Sequence, residues 1–430
     1  MMKEHHYDTV KESLYVERLD NGLELYVLPK TGFSKTYATF TTRYGSIDHH
    51  FQVEGEEEVR VPDGIAHFLE HKMFEEPDGD VFAKFSEKGA SSNAFTSFDR
   101  TTYLFTATEA VEDNLITLLD FVQHPYFSEE SVNKEKGIIG QEINMYQDNP
   151  DARVYYGLIE ALFKQHPVRI DIAGTIESIN QINRETLLTC YHAFYHPSNM
   201  MVFVVGGVDP QRIAQLVKTN QAAKTYEPQG EIKRFYEEEP AEVCEAKRIA
   251  HLPVALPKCL VGFKEVHKGN ESVNALRHEV ASRIMLDLLF SPSSECYQAL
   301  YDEGLITDSF GMEYNLYPDF AYSAFGGDTR DPDLLVERLQ AFIQKALTQG
   351  FDERSFERSK RKKIGGLLRM MNSPEAIGNE FTKYRYRGID WFELLPAYEA
   401  LTLTEVNERM KEHFDLNHMS ISIVTSEAHG

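Results

Sequence analysis

Between residues 14 and 53 apolar and polar positions alternate, the period of a half-buried strand. Asn21-Gly22 falls between two alternating runs and reads as a hairpin turn. Alternation returns over 36–44. After Pro62-Asp63-Gly64 the period changes: Ile65, Phe68, Leu69 and Met73 recur at helical spacing, with Asp63 the expected N-cap and Pro77 the stop. Helical spacing follows over 81–88, 110–124, 128–148 and 184–195. An extended, small and polar stretch at 90–97 and a strand at 101–106 interrupt it. The continuous apolar run 200–208 predicts a buried strand, and a further helix starts at Pro210.

Periodicity lapses around Glu237-Glu238-Glu239-Pro240, which marks a linker. We expect a first half over 1–228, a linker over 229–245 and a second, homologous half over 246–430. The second half repeats the broad plan, with strands near 259–263 and 322–326, helices over 273–290, 332–348 and 353–370, and a last strand at 420–424. Tyr195-His196-Pro197-Ser198-Asn199-Met200 and Phe414-Asp415-Leu416-Asn417-His418-Met419 each pass from a helix into a strand. That parallel hints at a duplication of roughly 200 residues. Hairpin signals and the lack of a Gly-rich phosphate loop favour an α+β fold over a doubly wound one.

Composition narrows the function. Asp and Glu outnumber Lys and Arg, 68 to 44, for a net charge of −24. A general nucleic-acid binder or a surface seeking anionic lipid is not expected. The four cysteines form no Cys-x-x-Cys pair and read as reduced thiols. The polar N-terminus and the absence of a long apolar run predict a cytoplasmic protein without a membrane span.

The predicted helix after Gly64 carries His67, Glu70 and His71 on one face, with apolar residues over much of the rest. A polar stripe on a surface helix is the plainer alternative. Inward-facing histidines and a carboxylate need partners, or their desolvation costs several kcal/mol. A hydrolytic zinc site asks for two imidazole ligands, an open position for water and a carboxylate to take a proton. Glu142, about seventy residues further on, is the candidate third ligand. Glu135, two helical turns before it, is placed to orient a ligand.

His67-Phe68-Leu69-Glu70-His71, the stretch Gly89 to Thr96 with Thr102-Tyr103, the segment Glu135 to Glu142, and His166-Pro167 through Ile179 closely resemble the pitrilysin/insulysin family of zinc metallopeptidases, the inverted zincins. The chain is most similar to half-length bacterial zinc-bearing subunits related to mitochondrial processing peptidase. The resemblance implies two structurally similar halves, each an antiparallel-rich sheet packed with helices, together half of a clam-shaped peptidase. It implies Zn2+ held by His67, His71 and Glu142, Glu70 as general base, and Asn93, Ala94, Phe95 and Thr96 as an edge strand that a peptide substrate extends.

One departure stands out. The family's second half carries Arg-Glu-x-Gly-Leu-x-Tyr, and this chain has Tyr301-Asp302-Glu303-Gly304-Leu305-Ile306-Thr307. The donors that would stabilise an oxyanion are absent from this copy. The expectation is a zinc endopeptidase for short or unfolded peptides, with a homologous subunit supplying the arginine and tyrosine, or self-association. The alternatives are a weakly active or scaffolding peptide-binding subunit of a heterodimer, and a hydrolase of small non-peptide amides.

Overall fold

The alternating runs assemble into sheets that divide between two compact units. The first holds residues 1–143, 170–236 and 370–386; the second holds 144–169, 237–369 and 387–430. The computed structural model describes residues 2–77, 79–265 and 272–426.

In the first unit a seven-stranded sheet runs in the order Lys3–Tyr7, Glu12–Arg18, Glu24–Pro29, Met200–Gly206, Thr36–Thr42, Thr101–Ala107, Ser91–Thr96. The run Met200–Gly206 sits at its centre, buried along its whole length, parallel to Glu24–Pro29 and antiparallel to Thr36–Thr42. That position explains an unbroken apolar run. Ser91–Thr96 lies at the opposite extreme, paired on one side only, with Thr96 opposite Thr101. Its small, polar character is that of an exposed edge.

The second unit carries a five-stranded sheet ordered Lys247–His251, Met419–Thr425, Lys258–Glu265, Ala321–Asp328, Gly311–Leu316. Each unit ends its plan alike. A helix opened by a capping box (Arg184–Phe194 or Leu403–His413) leads through a 3-10 turn (Pro197–Asn199 or Leu416–His418) into a strand beginning at Met200 or Met419. The two similar halves expected from sequence are present.

The units are not continuous in sequence, and this departs from a simple cut at 229–245. Helix Pro150–Leu162 lies in the second unit, where Ser420 Oγ donates to Ala161 O and a Cβ on Gly157 would come within 2.7 Å of Ser422 Oγ. Helix Pro374–Tyr386 lies in the first unit. Tyr37 OH donates to Asn379 there, and a Cβ on Gly378 would come within 2.7 Å of the Tyr37 ring. Each half of the chain lends one helix to the sheet of the other, and each lent helix has a glycine where it meets that sheet. No helix among the described residues is long and apolar enough to cross a membrane.

Candidate metal centre

The histidine helix spans Ile65–Met73, as the spacing predicts. Ile65, Ala66, Phe68, Leu69 and Met73 are buried in the first unit's core. Each large apolar side chain there contributes about 1.5–3 kcal/mol. The start of the helix corrects one expectation. Asp63 is not the N-cap: Gly64 holds that position with φ +84° and no side-chain cap. The reason is close main-chain approach. A Cβ on Gly64 would meet Ala173 O at 2.4 Å, and one on Gly174 would meet Asp63 O at 2.6 Å. The two glycines, both at positive φ, let the segment before Ile176–Asn180 clamp the helix start, and Ser178 Oγ donates to Asp63 O.

His67 and His71 lie one turn apart, with ring centroids 4.6 Å from each other. Glu142 reaches them from the long helix Glu129–Gln147. Its carboxylate oxygens stand 3.7 Å from His67 Nε2 and 3.5 Å from His71 Nε2. Among the described residues this is the one group of three whose donor atoms gather in this way, all within 4.8 Å. These separations are too long for hydrogen bonds. They approach the roughly 3.4 Å between two ligands of a tetrahedral ion bonded at ~2.0–2.1 Å. Two imidazoles and a carboxylate at that spacing fit zinc.

Glu135 lies two turns earlier on the same helix and bonds His71 Nδ1 at 3.0 Å. With Nδ1 giving its proton to that carboxylate, Nε2 turns a lone pair toward Glu142. Burial works against charge on His71, but this hydrogen bond and the nearby carboxylates of Glu70 and Glu142 more than offset it and hold its pKa above the usual value. His67 behaves oppositely. Burial, reinforced by His71, takes its pKa down to about 3, so its ring is neutral at physiological pH, the form that binds metal.

Glu70 is buried and points to the edge strand, where Thr96 Oγ1 donates to Glu70 Oε2 at 2.6 Å. Burial raises its pKa above the ordinary carboxylate range; the Thr96 hydrogen bonds and His71 offset part of the rise, and Glu142 adds to it. Asn93 is exposed on the edge strand, and Ala94 and Phe95 are half-buried. The contact between Thr96 and the carboxylate was not legible in sequence. A threonine ending a strand gives no signal of which helix it meets.

In the second unit Tyr301 is 52% exposed and stacks on Tyr297. The Thr307 hydroxyl shares a hydrogen bond with Ser309 at 2.8 Å. Nearby arginines are already engaged: Arg330 donates to Glu303 O, and Arg338 pairs with the Glu303 carboxylate. The basic run Arg358-Ser359-Lys360-Arg361-Lys362-Lys363 is partly structural. Ser359, Lys362 and Lys363 gather on the buried Asp287, while Arg361 is exposed.

Comparison with known proteins decides the family. The profile described as insulinase (peptidase family M16) matches residues 57–176, and that of the peptidase M16 inactive domain matches 181–363. A Bacillus subtilis (strain 168) protein described as an uncharacterized zinc protease, YmfH, is 48% identical over 429 residues, covering 100% of both chains. The chain belongs to peptidase family M16. A putative M16-like peptidase from Alicyclobacillus acidocaldarius shares the fold at a TM-score of 0.93 and 42% identity, over 96% of this chain and 99% of that one. Pitrilysin is similar in fold at a TM-score of 0.75 and 14% identity, over 99% of this chain but 46% of its own. M16 relatives thus carry the zinc-protease description, and a half-length chain carries the fold.

Proposed function

We propose that this M16 protein is a zinc endopeptidase for short or unfolded peptides, with His67, His71 and Glu142 as the ligands and Glu70 as the general base. The observation that carries the reading is the approach of Glu142 to both Nε2 atoms, with Glu70 free of that cluster and held separately by Thr96. Zinc at such a donor set acidifies water and polarises a carbonyl.

The protein's own groups do the rest. Glu135 keeps His71 in the ligating tautomer. Glu70, its pKa raised by burial, takes a proton from the attacking water and passes it to the leaving amine. The exposed edge of Ser91–Thr96 accepts the peptide as an added strand, so main-chain hydrogen bonds supply affinity with little sequence selectivity.

Tyr301 and Thr307 leave the oxyanion without the family's arginine and tyrosine. Donors of that kind are worth about 10²–10³ in kcat. A homologous subunit bearing them completes the active site in this reading. The experiment is a quenched-peptide assay with zinc analysis on the wild type and Glu70→Gln, each with and without such a subunit. Glu70→Gln is expected to keep zinc and to lose about 10³-fold or more in rate. Equal rates for the two proteins, or peptide hydrolysis without zinc, would sink the proposal.

A further inference from the structure

The edge strand and the proposed base meet at one residue. Strand alternation settles which main-chain groups face the free edge. Ser97 N–H donates inward to Arg100 O at 2.8 Å, and Ala94 N–H donates to Asn93 Oδ1 at 2.9 Å. Ala94 and Thr96 therefore turn their main-chain groups outward, away from Thr101–Ala107. At Ala94 the neighbouring Asn93 side chain covers the outward N–H. At Thr96 the neighbour is Glu70, whose Oε2 accepts from the Thr96 hydroxyl at 2.6 Å.

The Thr96 hydroxyl thus gives its one proton to the carboxylate. Thr96 Oγ1 also packs 3.4 Å from Thr101 Oγ1, whose own proton goes to Tyr44 O at 2.9 Å, so the Thr96 proton is left for Glu70. Thr101 is fully buried, so this packing is fixed by the core of the sheet. Glu70 is buried as well, and among the described residues this threonine is its side-chain hydrogen-bond donor.

We propose that Thr96 is a positioning residue for Glu70: its hydroxyl fixes the carboxylate at the end of the substrate-accepting edge. This rests on the peptidase reading above and deepens it. The same geometry sets where an added strand stops. Ala94 offers the last outward pair open to a peptide, because Glu70 occupies the position beyond it. A bound peptide displaces the Asn93 side chain from Ala94 N–H, and the peptide group just past that pairing comes against Glu70. Substrate register and base orientation are then set by adjacent residues of one strand.

Thr96→Val keeps the main-chain N–H, the branched shape and the strand propensity but removes the hydroxyl; Thr96→Ser keeps the hydroxyl. Zinc content, kcat and KM on a quenched peptide, and crystal structures of both variants test the idea. Thr96→Val is expected to lower kcat about 10–100-fold, the scale of a small misplacement of a reacting group, with zinc content unchanged and KM within about twofold. Its Glu70 carboxylate should leave the position seen here. Thr96→Ser should recover kcat to within about threefold and return the carboxylate. An unmoved Glu70 in Thr96→Val overturns the proposal whether or not the protein hydrolyses peptides. A loss confined to KM, or equal losses in both variants, also overturns it. Failure of the peptidase reading looks different: a wild type without peptide hydrolysis, or one matched by Glu70→Gln.

Discussion

The two units each gather histidines and carboxylates, with opposite results. In the first unit the Nε2 atoms of His67 and His71 stand 3.5–3.7 Å from the Glu142 carboxylate, near one another but without a hydrogen bond. In the second unit Glu265 is bonded directly. His278 Nε2 lies 2.8 Å and Tyr314 OH 3.0 Å from one oxygen, while Arg409 and His413 Nδ1 meet the other. His413 Nε2 is taken by Ser323 Oγ at 2.7 Å, and Arg409 Nε donates to Ser282 Oγ. The same residue types leave a place for a cation in one unit and close on themselves in the other, where the Arg409 guanidinium already supplies the positive charge. His278-Glu279-Val280-Ala281-Ser282 begins like a His-Glu-x-x-His motif, but Ser282 stands where the second histidine would be. Ser323, His413 and Glu265 follow the order of a nucleophile–base–acid relay, yet Ser323 and His413 are sealed in the core, where no substrate reaches.

This contrast can be broken from either side. The largest effect is expected from Glu142→Ala, which removes one of the three proposed ligands. Zinc affinity, read by competition with a chelator, should fall on the order of 10³-fold, given ~10–16 kcal/mol shared across the ligands of a tight site. Next is Arg409→Met, which strands the Glu265 charge among buried neighbours. Burial has already brought the Arg409 pKa down to about 10, a sign of how little water reaches it. Breaking such a pair costs about 3–5 kcal/mol, readable as a fall in the denaturant midpoint, with zinc stoichiometry unchanged.

Glu135→Gln should weaken zinc about 10–100-fold without removing a ligand. Gly378→Ala adds a methyl group 2.7 Å from the Tyr37 ring and should cost about 1–3 kcal/mol in stability while zinc stays bound. Arg361→Ala is the smallest. Arg361 is 81% exposed and reaches Glu357 only at 3.9 Å, so stability should stay within about 0.5 kcal/mol.

Much of the first unit could be read from the chain because its signals are local. The four apolar positions of Ile65–Met73 and the seven-residue spacing of Glu135 and Glu142 each put side chains on one helix face, and the structure keeps those faces. The helices Pro150–Leu162 and Pro374–Tyr386 were not legible. Pro150 reads as the stop of the helix before it, whereas it is the first residue of the next, capped by Asn149. Nothing in either segment tells which sheet it joins, because that choice is made by distant residues such as Ser422 and Tyr37. The Asp63 cap failed for a similar reason: Gly174, more than a hundred residues away, sets the chain direction at Gly64. The Glu265 network escaped notice because its members come from five separate elements.

The most direct test of the contrast is an anomalous difference map collected at the zinc edge on crystals of zinc-replete protein. The account predicts a single strong peak bounded by His67 Nε2, His71 Nε2 and the Glu142 carboxylate. No peak there, or one beside Glu265, His278 and His413, would contradict it.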